Sequence, residues 1–123
     1  MKIFFIVPVY NDEKSLVKLI QEIKTKFNKN NNEINFIIVN DASTDKFNNI
    51  SSFSNTHLIN LKSNQGNQKS IYIGLNYLND LNVNYDYLIV MDSDGEDNPE
   101  NISKLINKSK EHNDKTIIFA SRL

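Results

Sequence analysis

Short apolar runs alternate along this chain with segments whose apolar residues recur at helical spacing. The first is Lys2 to Val9, unbroken in hydrophobic character from Ile3, and a run of that length buried on both sides reads as a central strand of a parallel sheet. Leu16, Leu19, Ile20, Ile23 and Phe27 then fall on one face at 3.6-residue spacing, with Lys and Glu opposite, so the segment is an amphipathic helix. The same logic predicts a strand at Ile34 to Asn40, a weak helical turn at Thr44 to Phe53 and a strand at Thr56 to Leu61. A helix from Gln68 to about Leu81 presents Ile71, Leu75 and Leu78, and Tyr85 to Met91 forms a fourth strand. Pro99 suits the first turn of another helix, where its missing N–H would be unpaired in any case, and that helix is expected to carry Ile102, Leu105 and Ile106 inward. A fifth strand, Thr116 to Ala120, lies close to the end. The alternation predicts an α/β fold: a doubly wound, mostly parallel sheet with helices on both faces.

Length and composition narrow the possibilities. With 123 residues, 39% hydrophobic, one core must serve the whole chain as a single domain over residues 1–123. Lys and Arg number 14 against 15 Asp and Glu, so there is no basic field for nonspecific contact with nucleic acid, and any anionic ligand must be held locally. The absence of Cys excludes disulfides, thiolate catalysis and cysteine zinc sites. The apolar run at the start is broken by Pro8 and followed by Asn11, Asp12 and Glu13, too short for a membrane span or signal segment. The Asn-rich stretch from Asn28 to Asn32 reads as a surface loop, while the scarce glycines, Gly66, Gly74 and Gly95, mark places where the backbone needs something special.

Parallel strands joined by right-handed crossovers release their loops at one edge, and open α/β sheets bind ligands there. Four loops therefore converge: Tyr10 to Glu13, Asn40 to Asp45, Ser63 to Asn67, and Asp92 to Asp97. The last holds four carboxylates in six residues directly after a buried run, a crowding suited to a hard divalent cation with diphosphate oxygens. Helix capping accounts for Asp97 or Asn98, and a solvated turn stays open for Asp92 and Asp94. Asp41, at the end of the second buried strand, can accept hydrogen bonds from a base edge or a ribose, whereas Ser43 or Asp45 can simply cap the following turn. Tyr10 is placed either to stack on a planar base or to pack in the core. Asn64, Gly66 and Lys69 precede or open a helix whose N-terminus suits phosphate, yet the loop is no Walker A motif, since Ser63 and Gln68 occupy its glycine positions. No G-x-G-x-x-G follows the first strand, so an ordinary nicotinamide-binding site fails. His57 and His112 read as surface positions and assemble no nucleophile triad.

Taken in order, these loops resemble the nucleotide-sugar-binding half of family 2 glycosyltransferases of the GT-A fold, in particular the polyprenyl-phosphate, dolichol-phosphate mannose synthase-like branch. Ile6-Val7-Pro8-Val9-Tyr10-Asn11-Asp12-Glu13 is similar to that family's V-P-x-Y-N-E opening, and Val39-Asn40-Asp41-Ala42-Ser43-Thr44-Asp45 to its V-D-D-G-S-T-D segment. Asn64-Gln65-Gly66 through Gly74-Leu75 resembles its N-x-G and following G-L helix, and Asp92-Ser93-Asp94 its D-x-D, with Pro99-Glu100 after it. The resemblance implies strand order 3-2-1-4 with a further strand, and a donor that is a nucleoside-diphosphate sugar, UDP- or GDP-linked. It implies nucleotide contacts from Pro8, Tyr10, Asn11, Glu13, Asp41, Asn64, Gly66, Lys69, Asp92 and Ser93, and Mg2+ or Mn2+ on Asp92 and Asp94 with Glu96 nearby. The implied chemistry is inverting hexosyl transfer to a polyprenyl phosphate or glycan in cell-envelope polysaccharide synthesis, at the cytoplasmic side. Asn40 stands where the family has Asp, and Ala42 where it has Gly. The catalytic base and acceptor loops are expected beyond Leu123, which makes a non-catalytic nucleotide-sugar-binding module, or a partial domain needing a partner chain, the first alternative. A nucleotidyltransferase is the second, disfavoured because Asn11-Asp12-Glu13 replaces the Gly-rich, Arg-containing loop it needs.

Overall fold

A computed structural model of the chain describes residues 1–27, 31–93, 99–110 and 116–119. Five strands form one sheet in the order β3-β2-β1-β4-β5: β1 (Lys2–Val9), β2 (Glu33–Asn40), β3 (Thr56–Asn60), β4 (Tyr87–Val90) and β5 (Thr116–Phe119). Every pairing is parallel. The helices are α1 (Glu13–Phe27), α2 (Asn67–Leu81) and α3 (Pro99–Lys110).

The two-residue period of β1 sorts the core into two layers. Ile3, Phe5, Val7 and Val9 pack on one face with the apolar stripe of α1 and with Ile102 and Ile106 of α3. Phe4 and Ile6 face the other way, onto Leu78 of α2. Phe5 stacks on Phe36 of β2 with ring centroids 5.4 Å apart, so the centre of the sheet is aromatic as well as aliphatic. Helix α2 approaches the sheet closely through Gly74. A Cβ at that position would lie 2.8 Å from Ile6 Cγ2 and 3.3 Å from Val39 Cγ2, both on stiff β-branched side chains.

Several expectations are corrected. The segment Thr44 to Phe53 forms only a single 3-10 turn, Ile50–Ser52. Within the segment, Thr44 and Asp45 N–H donate to Asn11 Oδ1 and Asn49 N–H donates to Glu13 Oε2. The Asn49 N–H, which a helix from Thr44 would bond to the Asp45 carbonyl, is thereby taken out of an i→i−4 ladder. Ile50, Phe47 and Phe53 still anchor the segment to the α1 side of the core. Leu105 is 37% exposed rather than inward, since Ile102 and Ile106 one turn apart complete the buried stripe of α3. On α2 the fully buried positions are Ser70, Gly74 and Leu78, with Ile71 and Leu75 half-buried at the margin. His57 is no free surface group: its Nδ1 lies 2.9 Å from the Tyr77 hydroxyl, and it is partly buried under α2. His112 and residues 28–30 of the Asn-rich stretch lie outside the described residues. Among the described residues, no helix is long and apolar enough to cross a membrane.

Candidate functional site

The strand order reverses between β1 and β4, the switch point at which an open α/β sheet offers a crevice. Pro8 helps to open it. Pairing of β1 with β2 runs to Val9↔Asn40, but pairing with β4 stops at Ile6↔Val90. The carbonyl groups of Lys2 and Ile6 accept from Asp86 and Met91 on the β4 side, so even-numbered residues of β1 bond toward β4. Pro8 therefore withholds a donor on that side, and the two strands part where their loops begin. Its own side chain is buried, which makes its contribution one of backbone shape.

Tyr10 stands at the mouth of this crevice and is 51% exposed, which decides its two readings against core packing. Asn11 follows in a left-handed conformation, φ 53°, and turns the chain into α1. Its N–H donates to Ser43 Oγ (2.8 Å), and its Oδ1 accepts from Thr44 N–H (2.8 Å), Thr44 Oγ1 (3.2 Å) and Asp45 N–H (3.4 Å). Ser43 thus holds the loop after β1 rather than capping a helix. Asp12 Oδ1 caps α1 through Ser15 N–H (3.3 Å), and Glu13 accepts from Asn49 N–H (3.1 Å). Asn11 and Glu13 also join the loop after β1 to the loop after β2.

Asp41 is 5% exposed. Its Oδ1 accepts from Gln65 N–H at 2.6 Å and its Oδ2 from Gly66 N–H at 3.0 Å, while its carbonyl accepts from Asn64 Nδ2 at 3.4 Å. Charge-assisted bonds to two successive amides pin the loop after β3 against the end of β2. Asn40, the position where the resemblance expects Asp, is also built in: its Nδ2 donates to Asn60 Oδ1 (2.9 Å) and its Oδ1 accepts from Ser43 N–H. Ala42 adopts φ 58°, a left-handed conformation that costs a residue with a Cβ about 1–2 kcal/mol and explains why a glycine belongs there.

Gly66, at φ 87°, forms the N-cap of α2 with no side-chain capping bond, and its carbonyl accepts from Ser70 N–H to start the helix. Lys69 lies exposed in the first turn. Across the crevice, Asp92 is half-buried just past β4, and its Oδ1 accepts from Asn67 Nδ2 at 3.3 Å. Ser93 beside it is buried. Asp94 and Glu96, the other expected metal ligands, lie outside the described residues, as do Asp97 and Asn98. Among the described residues, no three acidic or histidine groups converge as a metal cluster. The chemistry of Asp92 itself fits a hard cation, because it offers a carboxylate oxygen, Oδ2, with no donor from the described residues.

A second concavity lies at the opposite edge of the sheet. It is an open cleft of about 570 Å³ lined by Lys24, Asn31 to Ile34, Ser54 and Asn55. Lys24 Nζ donates to the Ser54 carbonyl and lies 5.1 Å from the Phe53 ring centroid, and burial lowers its pKa. With the strands' amino ends as its floor and one cation already engaged, it lacks the convergent groups of the other edge.

The sequence matches the family model described as Glycosyl transferase family 2 over residues 4–122. The chain belongs to glycosyl transferase family 2. A crystal structure of S. aureus TarS 1-349 superposes with a TM-score of 0.66 at 27% identity, covering 91% of this chain and 33% of that one. This chain thus spans about a third of the length of that structure. The shared part is the GT-A, Rossmann-like half, with the parallel order 3-2-1-4 predicted and a fifth strand beyond β4. Neither comparison distinguishes a polyprenyl-phosphate branch within the family.

Proposed function

We propose that the carboxyl edge of this sheet binds a nucleoside-diphosphate sugar, uridine- or guanosine-linked, with Mg2+ or Mn2+ at the diphosphate. The whole protein then transfers the hexosyl group, with inversion, to a polyprenyl phosphate or glycan. The observation that carries the reading is the placement of three unlike groups at the carboxyl ends of neighbouring strands beside the β1/β4 switch point: the exposed Tyr10 ring just after β1, the Asp92 carboxylate just after β4, and the start of α2, whose Asn67 is bonded to Asp92. Tyr10 offers a planar face to a base. The positive end of α2 with Lys69 suits phosphate oxygens. Asp41 has each oxygen on one amide and retains lone pairs for a base or ribose donor, now on a carboxylate that cannot swing. Asp92, with Asp94 and Glu96 from the sequence, would hold the cation; when bound, it offsets charge growing on the departing nucleoside diphosphate. Family membership supports a nucleotide-sugar donor, while the acceptor class rests on the resemblance of the loop motifs alone.

Calorimetry with UDP and with GDP, each in Mn2+ and in chelator, tests the reading. One nucleotide is expected to bind in Mn2+ and to lose most of its affinity in chelator. Equal affinity in both conditions removes the metal, and no affinity for either nucleotide overturns the donor site.

A further inference from the structure

Asp92 is fixed from the helix side, by the first residue of α2. Three hydrogen bonds and one backbone turn set where that residue stands. Asp41 holds Gln65 and Gly66 by their amides, Gly66 turns at a positive φ that other residues rarely adopt, and the Gly66 carbonyl takes the first helical bond from Ser70. The Cα of Asn67 is thereby tied to the end of β2, and its side-chain amide reaches Asp92 Oδ1 at the end of β4. A carboxylate only accepts, so the amide must donate through Nδ2.

We infer that Asn67 is a positioning residue, whose amide holds the Asp92 carboxylate with Oδ2 turned to receive the divalent cation of a bound nucleoside diphosphate. This rests on the donor reading above. The choice of an amide matters physically. A neutral donor fixes the rotamer of a ligating carboxylate and leaves its full negative charge for the metal, whereas a Lys there would compete with the cation as a counter-charge. Asn67 is exposed and makes no core contact that its loss would disturb.

The test measures Mn2+ affinity by water-proton relaxation, with and without UDP or GDP, on the full chain. Asn67→Ala is expected to weaken Mn2+ binding about tenfold, the scale on which outer partners of metal ligands act. Asn67→Lys is expected to weaken it further, while nucleotide affinity of the Asn67→Ala variant in chelator stays at the wild-type value. In an Asp92→Asn background, Asn67→Ala is expected to change nothing more, because the group it orients is gone. Should Asn67→Ala unfold, Asn67→Ser keeps a residue suited to helix starts but too short to reach Asp92, and the same loss is expected. Wild-type affinity in these variants, or an equal loss in the Asp92→Asn background, overturns the positioning role while leaving the donor reading intact. Absence of metal-dependent binding in the wild-type chain overturns both.

Discussion

Left-handed backbone at single residues shapes this molecule more than its three glycines suggest. Asn11, Asn31, Asn55 and Asn82 all adopt positive φ, at the turn into α1, the entries to β2 and β3, and the end of α2. Asn tolerates that region because its short amide can bond locally, so part of the heavy Asn usage is structural rather than compositional. Ala42 is the exception, with a Cβ and no compensating side-chain bond at φ 58°. Ala42→Gly should relieve that strain and raise the unfolding free energy by about 1 kcal/mol, after the entropy a glycine adds to the unfolded chain. A urea titration showing a higher midpoint with unchanged slope is the expected result, and a lower midpoint would show that the strain is not there.

At the level of elements, α2 carries the most information. Its body is set by Gly74, which lets the helix lie against Ile6 and Val39, and its start is set by Asp41 through the preceding loop. Gly74→Val places side-chain volume where a single Cβ already meets a methyl at 2.8 Å. A loss of about 2 kcal/mol of stability is expected, since overpacking a stiff β-branched neighbour shifts backbone. Because α2 is held at both points, the helix start should move when its body is lifted. The variant is therefore expected to lose Mn2+-dependent nucleotide affinity even at temperatures where thermal melting shows it folded, and retained affinity would separate the two ends of the helix. Helix α1 behaves differently: its stripe is packed along the whole length, and Asn11 and Glu13 at its start hold the neighbouring loop instead.

Across the whole molecule, side-chain bonds join the loops in series over the carboxyl edge. Asn11 links the loop after β1 to the loop after β2, Asp41 links that loop to the one before α2, and Asn67 links α2 to the loop after β4. A ligand bound as proposed would bridge these loops and should stabilise the fold as a unit. With Mn2+ and the preferred nucleotide at about 100 times Kd, linkage gives a gain of about 2.7 kcal/mol, read as a rise in melting temperature that chelator abolishes. A rise that survives chelation would place the nucleotide without the metal.

Hydrophobic periodicity determined the five strands, the three α-helices and their succession along the chain, because each signal is local and repeats within one element. Ile3 to Val9 and the Leu16 to Phe27 stripe are legible without any partner. The motifs around Pro8, Asp41, Gly66 and Asp92 likewise carried the family. Only the tertiary structure decided which partners within the chain the polar residues of those motifs hold. Asn11 and Thr44, or Asp41 and Gln65, are far apart in sequence and meet only because β1, β2 and β3 are neighbours, so no local pattern distinguishes a staple from a ligand contact. The segment Thr44 to Phe53 has the same origin: its weak helical turn is reduced to Ile50–Ser52, and the Asn49 N–H just before it donates to Glu13, far away in sequence.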